Sequence, residues 1–282
     1  MNSRVAIIGG MALLVAAGLV ALSSFPTAQR EADLPFEDIS ESSLPLPPVP
    51  PRIADGPDYE HCLEMIDRDP VGAAAFADAW DAKGGGDGAL HCRALARIAD
   101  GDPEDGAEAL EALAKNSPAP ALARASVYDQ ATQIWLSVGE PDRAYAAATA
   151  ALALAPGDPD RLIARSAAAT TLSRYSDAIA DLNRALDLDP RRVDALVQRA
   201  AAWREEDKLD RAKEDVGRAL ALNPDYPDGL LERGIQRQRL GDDAGARADW
   251  ERTIELDPDS VTADLAHQNL ALLDAGPART QP

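Results

Sequence analysis

Four prolines, Pro156, Pro190, Pro224 and Pro258, stand 34 residues apart, and each closes a similar phrase, as in Ala185-Leu186-Asp187-Leu188-Asp189-Pro190. A fixed interval of this length is the signature of stacked helix pairs, in which no unit can bury its apolar face alone. Counted so that the proline is position 32, the units are 125–158, 159–192, 193–226 and 227–260. Position 20 is Ala144, Ala178, Ala212 and Ala246; position 27 is Ala151, Ala185, Ala219 and Thr253. Position 8 is Thr132, Ser166, Ala200 and Gly234. Small residues at these places let the two helices of a hairpin cross closely. Position 4 supplies a large knob, Tyr128, Leu162, Leu196 and Leu230, and position 24 holds Ala148, Leu182, Val216 and Trp250. Gly139, Ser173, Asp207 and Gly241 mark the turn inside each pair.

With these residues in register, the chain resembles the tetratricopeptide repeat family, in particular a bacterial variant with arginine before position 8 (Arg165, Arg199, Arg233). The resemblance implies an all-α superhelix of stacked antiparallel helix pairs that binds proteins without catalysis. Residues 58–124 read as degenerate pairs of the same kind, with Gly106 in place of the small alanine and a 38-residue step from Pro118 to Pro156. That step places about four inserted residues near Ala119–Ser126. Residues 261–275 are expected to form a helix covering the apolar end of the array, with 276–282 as a disordered tail.

The run Val5–Phe25 carries no charge, is long enough to span a bilayer, and lies just after Arg4. It reads either as an uncleaved membrane anchor or as a signal peptide cleaved near Ala21-Leu22-Ser23. Both readings export the remainder of the chain, so the expected location is periplasmic, with membrane contact only through this segment. Residues 26–57, rich in proline and acids, read as an extended spacer. The formal charge of −20 repels a phosphate backbone and argues against nucleic acid as a partner. Removing residues 1–24 leaves 27 basic against 48 acidic residues.

Phosphate-binding loops, serine elbows and HExxH are absent, and Lys83-Gly84-Gly85-Gly86-Asp87-Gly88 has no preceding strand and reads as a turn. No catalytic, cofactor-binding or metal residues are therefore assigned, and the chain is read as no enzyme. The two cysteines each come directly after a histidine, as His61-Cys62 and His91-Cys92. In an exported protein they are expected to form a Cys62–Cys92 disulfide, with free thiols or a redox or metal site as the alternatives. Positions 5, 9 and 12 of each unit should face the concave side. From them Gln133, Ile163, Val197, Ala201, Arg204, Leu231 and Ile235 are the candidate protein-binding residues, unless the apolar ones pack between repeats. Asp129, Ile163 and Val197 stand where the family's chaperone-tail binders want a lysine, which argues against that ligand.

Overall fold

The computed structural model describes residues 52–276; the run Val5–Phe25 and the expected spacer up to residue 51 lie outside them. The described residues form thirteen α-helices and no strand. In chain order they are α1 (Pro57–Ile66), α2 (Pro70–Asp81), α3 (Gly86–Asp100), α4 (Pro103–Asn116), α5 (Ala121–Ser137), α6 (Pro141–Leu154) and α7 (Pro159–Thr171). Then come α8 (Tyr175–Leu188), α9 (Val193–Glu205), α10 (Leu209–Leu222), α11 (Pro227–Arg239), α12 (Asp243–Leu256) and α13 (Val261–Ala275). Among these residues no helix is long and apolar enough to cross a membrane.

The period appears in the backbone itself. α7, α9, α11 and α13 all begin at register position 1, and α6, α8, α10 and α12 all run from position 17 to position 30. Each of those second helices ends because the residue before the recurrent proline is driven out of the helical region. Ala155, Asp189, Asn223 and Asp257 have φ between −138° and −150° and ψ between 76° and 97°. Inside each pair the chain reverses through a left-handed residue. This is Gly139 or Gly241 in two units, but Ser173 (φ 58°) and Asp207 (φ 56°) in the others. The next N–H then bonds to the carbonyl five residues back in every case, as Arg174 N–H to Ala169 O at 2.8 Å and Lys208 N–H to Trp203 O at 2.8 Å.

The 38-residue step has a simple outcome. α5 has 17 residues where α7, α9 and α11 have 13, so the four extra residues add one turn to the start of a first helix. The register downstream is undisturbed.

Ala144, Ala178, Ala212 and Ala246 are fully buried, as are Ala151, Ala185, Ala219 and Thr253. Positions 8 and 24 vary together in the last three units, as Ser166 with Leu182, Ala200 with Val216 and Gly234 with Trp250, and in the last of these the two residues meet directly. A Cβ on Gly234 would lie 2.3 Å from Trp250 Nε1, so only glycine admits the tryptophan. Gly106 is similar; its Cβ would meet Ile98 at 2.3 Å.

The arginines at position 7 reach across the hairpin to an aspartate at position 23. Arg165 grips Asp181 (2.7 and 2.6 Å), Arg199 grips Asp215 (2.7 and 2.6 Å) and Arg233 grips Asp249 (2.9 and 2.6 Å), each pair two-pronged. The aspartates are almost wholly buried. In the first unit the corresponding residues are Ala131 and Ala147. The ion pair is thus present or absent as a whole, as the high cost of a single buried charge requires.

Candidate functional site

Consecutive first helices touch one another, α5–α7, α7–α9, α9–α11 and α11–α13, whereas consecutive second helices make no comparable contact. The first helices therefore lie on the inner side of the curve.

On that inner face the candidate residues separate. Ile163, Val197 and Leu231, at position 5, are only 7–9% exposed and belong to the core. Each packs at the seam with a neighbouring first helix, whereas Leu265, the same position on the terminal helix, is 42% exposed. As a binding surface for side chains Ile163 is corrected to packing. Val197 and Leu231 keep only an edge on the surface. Arg204 is also not free. Its Nε donates to Glu232 Oε1 on α11 at 2.8 Å, and its side chain is mostly buried. Gln133 is exposed, and Ile235 is partly buried against Leu231 and Trp250.

Three of the seven candidates are brought together. Val197 and Ala201 of α9 and Leu231 of α11 form the apolar wall of a cleft of about 210 Å³ between the two helices. Its polar margin is Asp194, Gln198, Tyr226, Asp228 and Glu232, none of which the sequence reading selected. A signal for part of it existed, since Asp160, Asp194 and Asp228 recur at position 2.

The electrostatics of this margin are uneven. Burial pushes the Glu232 carboxyl upward against the pull of Arg204 and of Gln236, which donates to it at 3.1 Å. Burial also acts upward on Asp194, but Arg192 and the Ala195 N–H outweigh it and hold that carboxyl below its usual range. Tyr226 is pushed up to about 12, by burial first and then by the neighbouring Asp228 carboxylate. Asp228 accepts from Thr262 Oγ1 at 2.5 Å, and among the described residues no cation lies within ion-pair distance of it.

A larger, more open hollow of about 550 Å³ lies between α4 and α6 on the outer side. Most of its charges are already paired. Arg143 bonds Glu108 at 2.7 Å and reaches Glu111 at 3.8 Å, and Glu111 also accepts from Trp135 Nε1 at 2.8 Å.

At the N-terminal end Cys62 and Cys92 are joined in a disulfide between α1 and α3, with Cα atoms 6.2 Å apart and both residues fully buried. The two histidines diverge. His61 meets the Phe76 ring edge-on at 5.1 Å. His91 is buried between α1 and α5. It accepts the Tyr59 hydroxyl at Nδ1 (2.7 Å), and its Nε2–H donates to Gln130 Oε1 (2.7 Å). Desolvation holds its pKa below the ordinary histidine value. The imidazole acts as a neutral bridge across three first helices. Among the described residues no group of three or more acidic, histidine or cysteine side chains is arranged to hold a metal.

A sequence model of the tetratricopeptide repeat matches residues 198–271. No curated protein sequence matches the chain. Among solved structures, PilF of Pseudomonas aeruginosa superposes with a TM-score of 0.54 at 15% identity, over 75% of this chain and 96% of its own. TTC0263, a tetratricopeptide-repeat protein of Thermus thermophilus, gives 0.52 at 18% identity, over 66% of this chain and all of its own. MamA of Desulfovibrio magneticus RS-1 gives 0.50 at 17%, over 73% of this chain and all of the MamA fragment. At these identities the likeness is one of fold.

Proposed function

We propose that this chain, which belongs to the tetratricopeptide repeat family, is a non-enzymatic scaffold holding a protein partner on the inner face of its array, in the periplasm or cell envelope. The observation that carries the reading is the α9–α11 cleft. It is a concave, part-apolar site with polar groups converging at its margin, placed where an extended segment could lie against successive first helices. Export is supported by the uncharged run Val5–Phe25 and by the buried Cys62–Cys92 disulfide, a bond that persists in oxidising compartments. Attachment through that run, or release after its cleavage, would leave residues 52–276 facing the same compartment.

The test is site-specific photocrosslinking in cells. A photoreactive residue at Ala201 or Ile235 is expected to yield one discrete adduct, and the same residue at Arg218, on the outer helix α10, none. Adducts of equal yield from both sides would sink the inner-face reading. Ala201 and Ile235 are chosen because a charge placed at Val197 would be buried and would report on folding instead. Export is checked separately with a C-terminal alkaline phosphatase fusion, which is active only if the domain leaves the cytoplasm.

A further inference from the structure

We infer that the α9–α11 cleft receives the side chain of an arginine or lysine from a basic, otherwise extended segment of the partner. The inference rests on the scaffold reading above and names the chemistry of its ligand.

The chain contains its own controls. Between α5 and α7, Arg161 reaches back to Asp129, with Nη2 at 2.9 Å, and pairs with Asp158 as well. Between α7 and α9, Arg192 at position 34 spans two helices, bonding Asp160 at 2.6 Å and Asp194 at 2.6 Å. At both junctions the inner-face carboxylates are bridged by a guanidinium that the chain supplies. At the next junction, between α9 and α11, position 34 is Tyr226 and position 3, which held Arg161, is Gly229. The carboxylates persist there, as Asp194 and Asp228, while the bridging cation does not. What remains is the cleft of about 210 Å³.

The shape and polarity of the cleft fit the missing group. Val197, Ala201 and Leu231 offer an aliphatic wall, and Asp228 at the margin carries a charge met by the Thr262 hydroxyl and the neighbouring Tyr226 rather than by a cation. An arginine or lysine side chain has this character, a methylene stem with a cationic tip. Arg204 neutralises Glu232 nearby, so the uncompensated charge is on the Asp228 side of the cleft. The formal charge of −20 adds a field that draws basic segments in and repels acidic ones.

The experiment uses the full chain and two fluorescein-labelled peptides, of repeated Leu-Arg-Ser-Gly and repeated Leu-Glu-Ser-Gly, read by fluorescence anisotropy. The arginine peptide is expected to bind and the glutamate peptide not. Asp228→Asn should weaken binding about three- to fivefold, the scale of one exposed ion pair. Tyr226→Arg restores the intramolecular bridge of the preceding junction and should weaken it more than tenfold. Ala201→Phe fills the cleft and should abolish binding whatever the ligand's charge. Circular dichroism melts identify which variants are folded, and Asp228→Asn, on the surface, keeps the test valid if the others are not. If both peptides bind, both lose binding on Ala201→Phe, and neither Asp228→Asn nor Tyr226→Arg matters, the basic ligand is wrong while the inner-face site stands. If the arginine peptide fails to bind, the inference falls. If it binds and survives Ala201→Phe, the cleft falls with it.

Discussion

The three arginine–aspartate pairs make a graded prediction, because the buried acids differ in what remains when the arginine is removed. Asp181, Asp215 and Asp249 have side chains only 3–5% exposed. Arg165→Ala leaves Asp181 with no other cation within ion-pair distance among the described residues. Arg199→Ala leaves Asp215 with Arg218 at 3.6 Å. Arg233→Ala leaves Asp249 with Arg237 already bonded at 2.8 Å. A buried charge stripped of its partner costs about 3–5 kcal/mol, whereas loss of a hydrogen bond to a charge that keeps another costs about 1.5–3 kcal/mol. The expected order of destabilisation is therefore Arg165→Ala, then Arg199→Ala, then Arg233→Ala, spanning about 2 kcal/mol from first to last. The double variant Arg165→Ala/Asp181→Ala recreates the Ala131/Ala147 pair that the first unit carries in nature. It should fall well short of the sum of the two single variants, with a coupling of about 2 kcal/mol. Urea denaturation of the disulfide-intact protein, monitored by far-ultraviolet circular dichroism, measures all of these. Equal losses for Arg165→Ala and Arg233→Ala, or an additive double variant, would refute the claim that the stranded carboxylate, rather than lost arginine packing, sets the cost.

Other perturbations test other parts of the fold. Gly234→Ala should destabilise by about 1–3 kcal/mol because its Cβ has no room beside Trp250, and Trp250→Leu in the same chain, matching Ser166 with Leu182, should recover part of that loss. Reducing the Cys62–Cys92 bond, or Cys62→Ala/Cys92→Ala, opens a loop of separation 30 and should lower stability by about 3–4 kcal/mol, with proteolysis beginning in α1–α3. His91 is held neutral by burial, so its folded pKa lies below its unfolded one. The unfolded chain then takes up the proton first. Stability from His91 is complete above about pH 6.5 and is lost as pH falls through the folded value, by at most about 1.4 kcal/mol per pH unit. The difference in melting between wild type and His91→Asn should shrink as pH falls from 7 to 5; a constant difference would contradict the neutral bridge between Tyr59 and Gln130.

The repeat architecture was legible because its determinants are local or strictly periodic in the chain. Pro156, Pro190, Pro224 and Pro258 set helix ends by acting on the residue before them, and the buried alanines recur at one spacing. The ion pairs were half legible. Arg165, Arg199 and Arg233 stood out beside position 8, but their partners lie sixteen residues on, across a turn, where no helical or strand periodicity points. The joint change to Ala131 and Ala147 was the available clue. The Tyr59–His91–Gln130 bridge had no such clue, since Tyr59 and His91 come from the degenerate units and Gln130, at position 6 of the first clear unit, reaches back out of the aligned repeats to meet His91.

The inner face was the hardest part to read, for a geometric reason. Position 5 lies on the boundary between the groove and the seam to the next first helix, and how far that next helix covers it depends on the rotation between repeats, which no single unit encodes. Ile163 and Val197 are covered in this way, while Leu265, on the last helix among the described residues, remains 42% exposed. What distinguishes one junction from another is carried by positions outside the repeated phrase. Arg192 closes the α7–α9 junction, and Tyr226, one period later, leaves the α9–α11 junction open beside Asp228. Both residues stand two positions after the recurrent proline, in a short connection that the folding pattern leaves free to vary. The residues that build the array therefore hold this position in space without constraining its chemistry, and a single substitution there converts a self-sealed seam into a cleft with an unmatched charge.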